Sequence, residues 1–197
     1  AQNYFSTTWK ASGICYEGPN YAIVGLAYPA VFCEALRRAG GADIVGEAGA
    51  TLAMQYLMYQ WMPEGGCAPI GDNTSYGRRT FAAEYLRGLA RSRDAVGLWT
   101  WRNNMDPRYI DPLIAYLWYP LDLRPINPVA AETPTARYFE VTPNRAGYFF
   151  SRTRWENPDA AFFALVTRHE RCNHQHYDMN SFLLGAYGTL FATHESL

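Results

Sequence analysis

PLDLRPINPVAAETPTA, residues 120–136, contains four prolines and no apolar period, the composition of a connecting segment rather than of a helix or strand. The sequence on its two sides differs in kind. Upstream, PNYAIVGLAYPAVFCEALRRA (residues 19–39) has helical apolar spacing closed by Gly40 and Gly41, with Pro29 expected to kink or interrupt it. Residues 42–62 carry a second helical pattern ended by PEGG, and a glycine-rich loop, CAPIGDNTSYG, follows. Thr80 is placed to cap a helix reaching about Ser92, and AVGLWTWRN reads as a short helix. Asp111 and Pro112 supply an N-cap and first-turn proline for PLIAYLWY. Downstream, RYFEV, GYFFSRTRW, AAFFALVTR, NSFLLGAY and TLFAT are short aromatic or β-branched runs broken by turn residues. Helices followed by strands predict an α+β multidomain chain, not a parallel α/β sheet. Stacked helical hairpins would occupy residues 1–119, a linker 120–136, and antiparallel strands 137–197.

The 197 residues are 49% apolar and carry a formal net charge of −1. A charge so near zero predicts neither nucleic acid nor an anionic membrane as partner. Lys10 is the only lysine, so nearly all positive charge sits on arginine, whose planar guanidinium grips carboxylates and sulfates in a two-pronged way. Fifteen tyrosines and six tryptophans suit a protein that stacks sugar rings, and equally one with an aromatic core. Cys15, Cys33, Cys67 and Cys172 form no C-x-x-C pair, hence neither a zinc ribbon nor a disulfide framework. No apolar run approaches the length that crosses a bilayer. AQNYFSTTWK shows no signal-peptide pattern, and with no initiator methionine and an end at FATHESL we expect a piece of a longer protein.

Three stretches could carry chemistry. In CNHQHYDMNSF, residues 172–182, His174 and His176 are two apart and can face one site in an extended segment, with Asp178 beside them. That spacing serves a tetrahedral metal site or a turn with two exposed imidazoles. A hairpin between the two last strand-like runs would return His194 towards His176. In CYEGPNY, residues 15–21, glycine and proline precede a helix and place Tyr21 in its first turn, where the helix dipole favours a phenolate; the alternative is a core aromatic. Glu17 could complement the same dipole. In SRTRW, Arg152 and Arg154 alternate with Ser151 and Thr153, so both can project from one sheet face, with surface solvation as the default.

The segments YEGPNYAIVGLAYPAVFCEALRRAGG, IGDN, GYFFSRTRW and NHQHYDMNSFLLGAYGTLFA follow the order and approximate spacing of heparinase II/III-like polysaccharide lyases, which the chain resembles from about Cys15 to His194. E-G-P-x-Y and H-x-H-x-D-x-x-S-F are the most specific parts. The resemblance implies the C-terminal part of an (α/α) toroid followed by the start of an antiparallel β-sandwich. It also implies β-elimination on an acidic, uronic-acid-containing polysaccharide, a glycosaminoglycan or an alginate-like polymer. Such polymers lie outside the cytoplasm, so a secreted or periplasmic location is expected.

Carried over by motif, Tyr21 is the catalytic acid and base, and His174 works beside the substrate. Glu17 and Asn20 would face the substrate, and Arg152 or Arg154 would hold one of its acid groups. His176 matches a zinc ligand. His194 stands where the family usually has an aspartate, an exchange that zinc accepts. The zinc would be structural, fastening the loops that carry His174, and Asp178 would brace the turn. A non-catalytic sugar-binding or structural module of the same fold is the alternative from another class. A helical-toroid glycoside hydrolase would need paired carboxylates, for which Glu17 and Asp72 are the nominees.

Overall fold

The computed structural model describes residues 19–42, 53–70, 82–142, 146–167 and 180–192. These contain five α-helices, α1 (Pro19–Arg38), α2 (Ala53–Gln60), α3 (Tyr85–Ser92), α4 (Ala95–Asn104) and α5 (Pro112–Trp118), and a 3₁₀ turn at Pro107–Tyr109. Five strands follow: β1 (Ala136–Thr142), β2 (Ala146–Arg152), β3 (Phe162–Val166), β4 (Ser181–Ala186) and β5 (Thr189–Ala192). The fold is α+β, with a five-stranded antiparallel meander in the order β1-β2-β3-β4-β5.

Local chemistry sets most boundaries. The α1 helix stops at two glycines: Gly40 takes φ +83°, the Gly40 amide bonds the Arg37 carbonyl, and the Gly41 amide bonds the Leu36 carbonyl. That pattern closes a helix with a left-handed residue at low steric cost. Pro29 does not interrupt α1, which continues through it. The lost backbone bond is offset by burial of Ala30 and Cys33 in the core. Asp111 Oδ1 accepts from the Leu113 and Ile114 amides, the expected cap of α5. Asp94 caps α4 through the Gly97 amide at 2.7 Å. Thr80, and the part of the second helical pattern before Ala53, lie outside the described residues.

Glu34 of α1 is buried, and its carboxylate meets Arg37, Arg38 and, from α3, Arg87 at 2.8–2.9 Å. The bonds from Arg37, partly opposed by burial, hold its carboxyl down at about 2. A carboxyl depressed in the folded state stabilises above its unfolded pKa and loses that contribution as pH falls through the folded value. Stability is therefore expected to drop by up to about 3 kcal/mol between pH 5 and pH 2 on this account. In Glu34→Gln that part of the acid slope should vanish from urea-denaturation midpoints measured across the range.

Helices and sheet share one core. Tyr56 of α2 stands edge-on to Phe139 of β1, with centroids 5.5 Å apart, and also contacts Tyr148 and Phe150 of β2. The inner sheet face continues through Phe162, Ala164, Val166 and Leu183, all buried. Residues 120–135, between α5 and β1, are irregular but anchored. Ile126 bonds the Ala95 carbonyl, Tyr59 Oη the Pro134 carbonyl, and Trp155 Nε1 the Thr133 carbonyl. The hairpin joining β4 to β5 turns on Tyr187 and Gly188, both with positive φ, the two-residue turn whose twist matches a sheet.

Candidate functional site

β2 ends at Arg152, and its side chain points into the molecule. The reason lies at the other end of the chain's contacts. α2 finishes at Gln60, and a helix end leaves carbonyls without intrahelical donors. Arg152 Nη2 supplies donors to the carbonyls of Tyr59 (2.6 Å) and Trp61 (3.0 Å), with a longer approach to Met58 (3.4 Å). A cation at the negative end of a helix is also favoured by the dipole. The guanidinium stacks on the Trp155 indole, 4.0 Å from the centroid, and lies 5.5 Å from that of Phe162. Burial pushes Arg152 down to about 10, so it stays protonated at neutral pH. Arg152 forms no ion pair among the described residues, and Nε is buried without an acceptor there.

The next residues leave the sheet. Thr153 and Ala161 close the ladder, amide to carbonyl at 2.9 Å and amide to Oγ1 at 3.0 Å, so the residues between them form a separate loop. Glu156 there has φ +54°, and the Asn157 side chain accepts from the Asp159 amide. Arg152 and Arg154 therefore do not share a sheet face. One is buried at the strand end, and the other is exposed on the loop.

Loop, strand end and helices enclose a cavity of about 140 Å³. Its walls include Trp61 just beyond α2, Trp99 of α4, Trp155 of the loop, Arg152 and Arg154. All three tryptophans are half-buried. Arg154 makes no hydrogen bond or ion pair among the described residues. Glu156, also on the wall, is engaged by Asn127 Nδ2. Asn104 donates Nδ2 to the Thr100 carbonyl at 2.8 Å. Beyond Trp61 and Asn104 lies a second, more open cavity of about 610 Å³, lined also by Glu64, Asp106 and Arg108. Aromatic faces, guanidiniums without an ion pair among the described residues and amide groups can hold a ring that is apolar on its faces, polar at its edge and negatively charged.

The other expected site residues fall elsewhere. Asn20 and Tyr21 lie in the first turn of α1, as their spacing predicts. Glu17, Asp72, His174, His176, Asp178 and His194 lie outside the described residues, although the β4–β5 hairpin before His194 is present. Among the described residues no group of three or more His, Cys, Asp or Glu could hold a metal, and the proposed zinc ligands are not among them. No helix among these residues is long and apolar enough to cross a membrane.

The tryptophans escaped the sequence reading, although a signal existed. In LWTW, Trp99 and Trp101 are two apart on one helix and cannot face the same way. Trp101 is buried with Nε1 on the Ala82 carbonyl, which leaves Trp99 for the cavity. Comparison with known proteins returns no family model that matches the chain and no significantly similar curated protein.

Proposed function

We propose that the protein is a carbon–oxygen lyase that cleaves a uronic-acid-containing acidic polysaccharide, a glycosaminoglycan or alginate-like polymer, by β-elimination. The observation that carries this reading is the tryptophan- and arginine-lined cavity where helices meet sheet, in a chain that also holds the E-G-P-x-Y and H-x-H segments. In elimination a base removes the proton beside the uronate carboxylate, and the glycosidic oxygen leaves from the adjacent carbon as a proton reaches it. That proton is weakly acidic until donors or cations gather around the carboxylate, each worth about 3–4 kcal/mol of barrier.

Tyr21 acts as acid and base, its phenolate favoured by the N-terminal turn of α1. His174 assists at the carboxylate, Glu17 and Asn20 contact the sugar, and Arg154 answers an acid group. In this reading His176 and His194 hold a structural zinc that fixes the loops around His174. The site of action is secreted or periplasmic. Incubating the protein with heparin and with alginate tests the activity: new ultraviolet absorbance from the unsaturated product supports it, and reducing ends without that absorbance sink it. A non-catalytic sugar-binding module would use the same cavity and yield neither.

The finer architecture we propose is the (α/α) toroid followed by a β-sandwich. Its support is the outer face of the sheet. Tyr138, Phe149, Leu165 and Phe182 stand opposite one another across four strands, and Phe163 lies 6.2 Å from Phe182. Tyr138 and Phe182 are 50% and 51% exposed, an apolar row of the kind that a second sheet covers. With a sheet stacked there, Phe182→Ala should cost about 3 kcal/mol in urea denaturation. A change within about 0.5 kcal/mol, as for an open surface position, would remove the sandwich.

A further inference from the structure

We infer that the two cavities sharing Trp61 and Asn104 are consecutive subsites of one groove, and that the Arg152–Arg154 end takes an anionic pyranose, a uronate or a sulfated sugar. The inference takes its ligand class from the acidic-polysaccharide reading, but it concerns binding and not cleavage.

Continuity is the first ground. Trp61 and Asn104 line both cavities, so the two adjoin at these side chains. The aromatic walls are the second. Trp61, Trp99 and Trp155 come from three separate elements and remain partly exposed. Indoles left half-open at a shared cavity offer flat apolar faces with little ordering cost on binding. Charge is the third ground. Arg152 has its Nη2 committed to backbone carbonyls, while its guanidinium makes no ion pair and its Nε hydrogen has no acceptor among the described residues, Glu64 acting on its charge only from a distance. Arg154 stands exposed, and its donors meet no acceptor among the described residues. The nearby carboxylate, Glu156, is bonded to Asn127 rather than to either guanidinium. A planar carboxylate or a sulfate matches the Arg154 fork, while the fixed charge of Arg152 adds attraction from the wall. The second cavity differs: Asp106 and Arg108 neutralise one another across it, and Glu64 adds an acid. Sugar hydroxyls fit there better than a second anionic group.

The test is calorimetric titration in the Tyr21→Phe background, so that no ligand is consumed. The probes are a heparin-derived tetrasaccharide bearing carboxylate and sulfate, an alginate tetrasaccharide bearing carboxylate alone, and neutral cellotetraose; the two anionic probes separate the sources of charge. At least one anionic tetrasaccharide should bind about ten-fold or more tighter than cellotetraose, and about ten-fold tighter than its own disaccharide. Arg154→Gln should remove the anionic preference and leave cellotetraose unchanged, whereas Trp99→Ala should weaken all three by roughly ten-fold. Thermal melts confirm that each variant is folded, and Trp99→Phe, which keeps a ring, should restore most of the affinity. An anionic preference that survives Arg154→Gln, or equal affinity for disaccharide and tetrasaccharide, overturns the inference. Wild-type protein that binds as described but forms no unsaturated product would end the lyase reading and leave the groove standing.

Discussion

Tyr21→Phe is expected, on the proposed lyase function, to lower turnover on an acidic polysaccharide by about 10²–10⁴-fold, the contribution of a positioned acid and base, while ligand affinity stays within about three-fold of wild type. The substitution removes one oxygen and keeps the ring. Tyr21 lies in the first turn of a 20-residue helix. The unsatisfied amides of such a turn, with the aligned peptide dipoles, favour a negative charge close by. In the proposed lyase that turn would help Tyr21 serve as the base that takes a weakly acidic proton at neutral pH. Initial rates from ultraviolet absorbance, with affinity measured separately, resolve the two effects. A variant retaining more than a tenth of wild-type turnover would show that another group moves the proton. Unchanged affinity from a wild-type protein without turnover would favour the sugar-binding module.

Local signals in the sequence carried the backbone further than they carried the site. Gly40 and Gly41 stop α1, Asp111 caps α5, and the aromatic runs after residue 136 become the strands of a meander, because each depends on neighbours a few residues away. Of the two effects expected of Pro29, interruption does not occur, because core burial of Ala30 and Cys33, a tertiary effect, outweighs one lost helix bond. The S-R-T-R alternation correctly made Arg152 a strand residue, but alternation does not tell which face a sheet buries or where pairing ends. Those depend on α2, whose carbonyls are more than 90 residues away, and on the bonds between Thr153 and Ala161 that release Arg154 from the sheet. The cavity was hidden for the same reason, since Trp61, Trp99 and Trp155 have no common period and converge only through tertiary packing. By contrast, the Tyr21 and His174 assignments rest on motif likeness, and the geometry of the cavity neither supplies nor replaces them.

Arg152→Met is expected to destabilise the fold by about 3–5 kcal/mol, the cost of breaking a buried charged group's set of interactions. Methionine nearly matches the side chain in length and apolar volume, so the loss isolates the guanidinium. The carbonyls of Tyr59 and Trp61 lose their donor at the end of α2, and Trp155 loses the cation stacked 4.0 Å from its ring. One part of the change runs the other way, because a cation whose pKa burial has lowered to about 10 is itself costly to bury. If desolvation dominated, methionine would be neutral or stabilising, as happens when apolar residues replace whole buried ion pairs. Here the acceptors are backbone carbonyls that cannot be replaced along with the arginine, and the buried Tyr59 carbonyl loses its 2.6 Å donor. Arg152→Lys should recover only part of the loss, since an ammonium lacks the planar face that meets the indole. For a chain of this size the methionine variant should melt roughly 10 °C lower. A loss below about 1 kcal/mol by urea denaturation would mean that the aromatic contacts of Tyr56 and Tyr59, rather than this guanidinium, join the helices to the sheet.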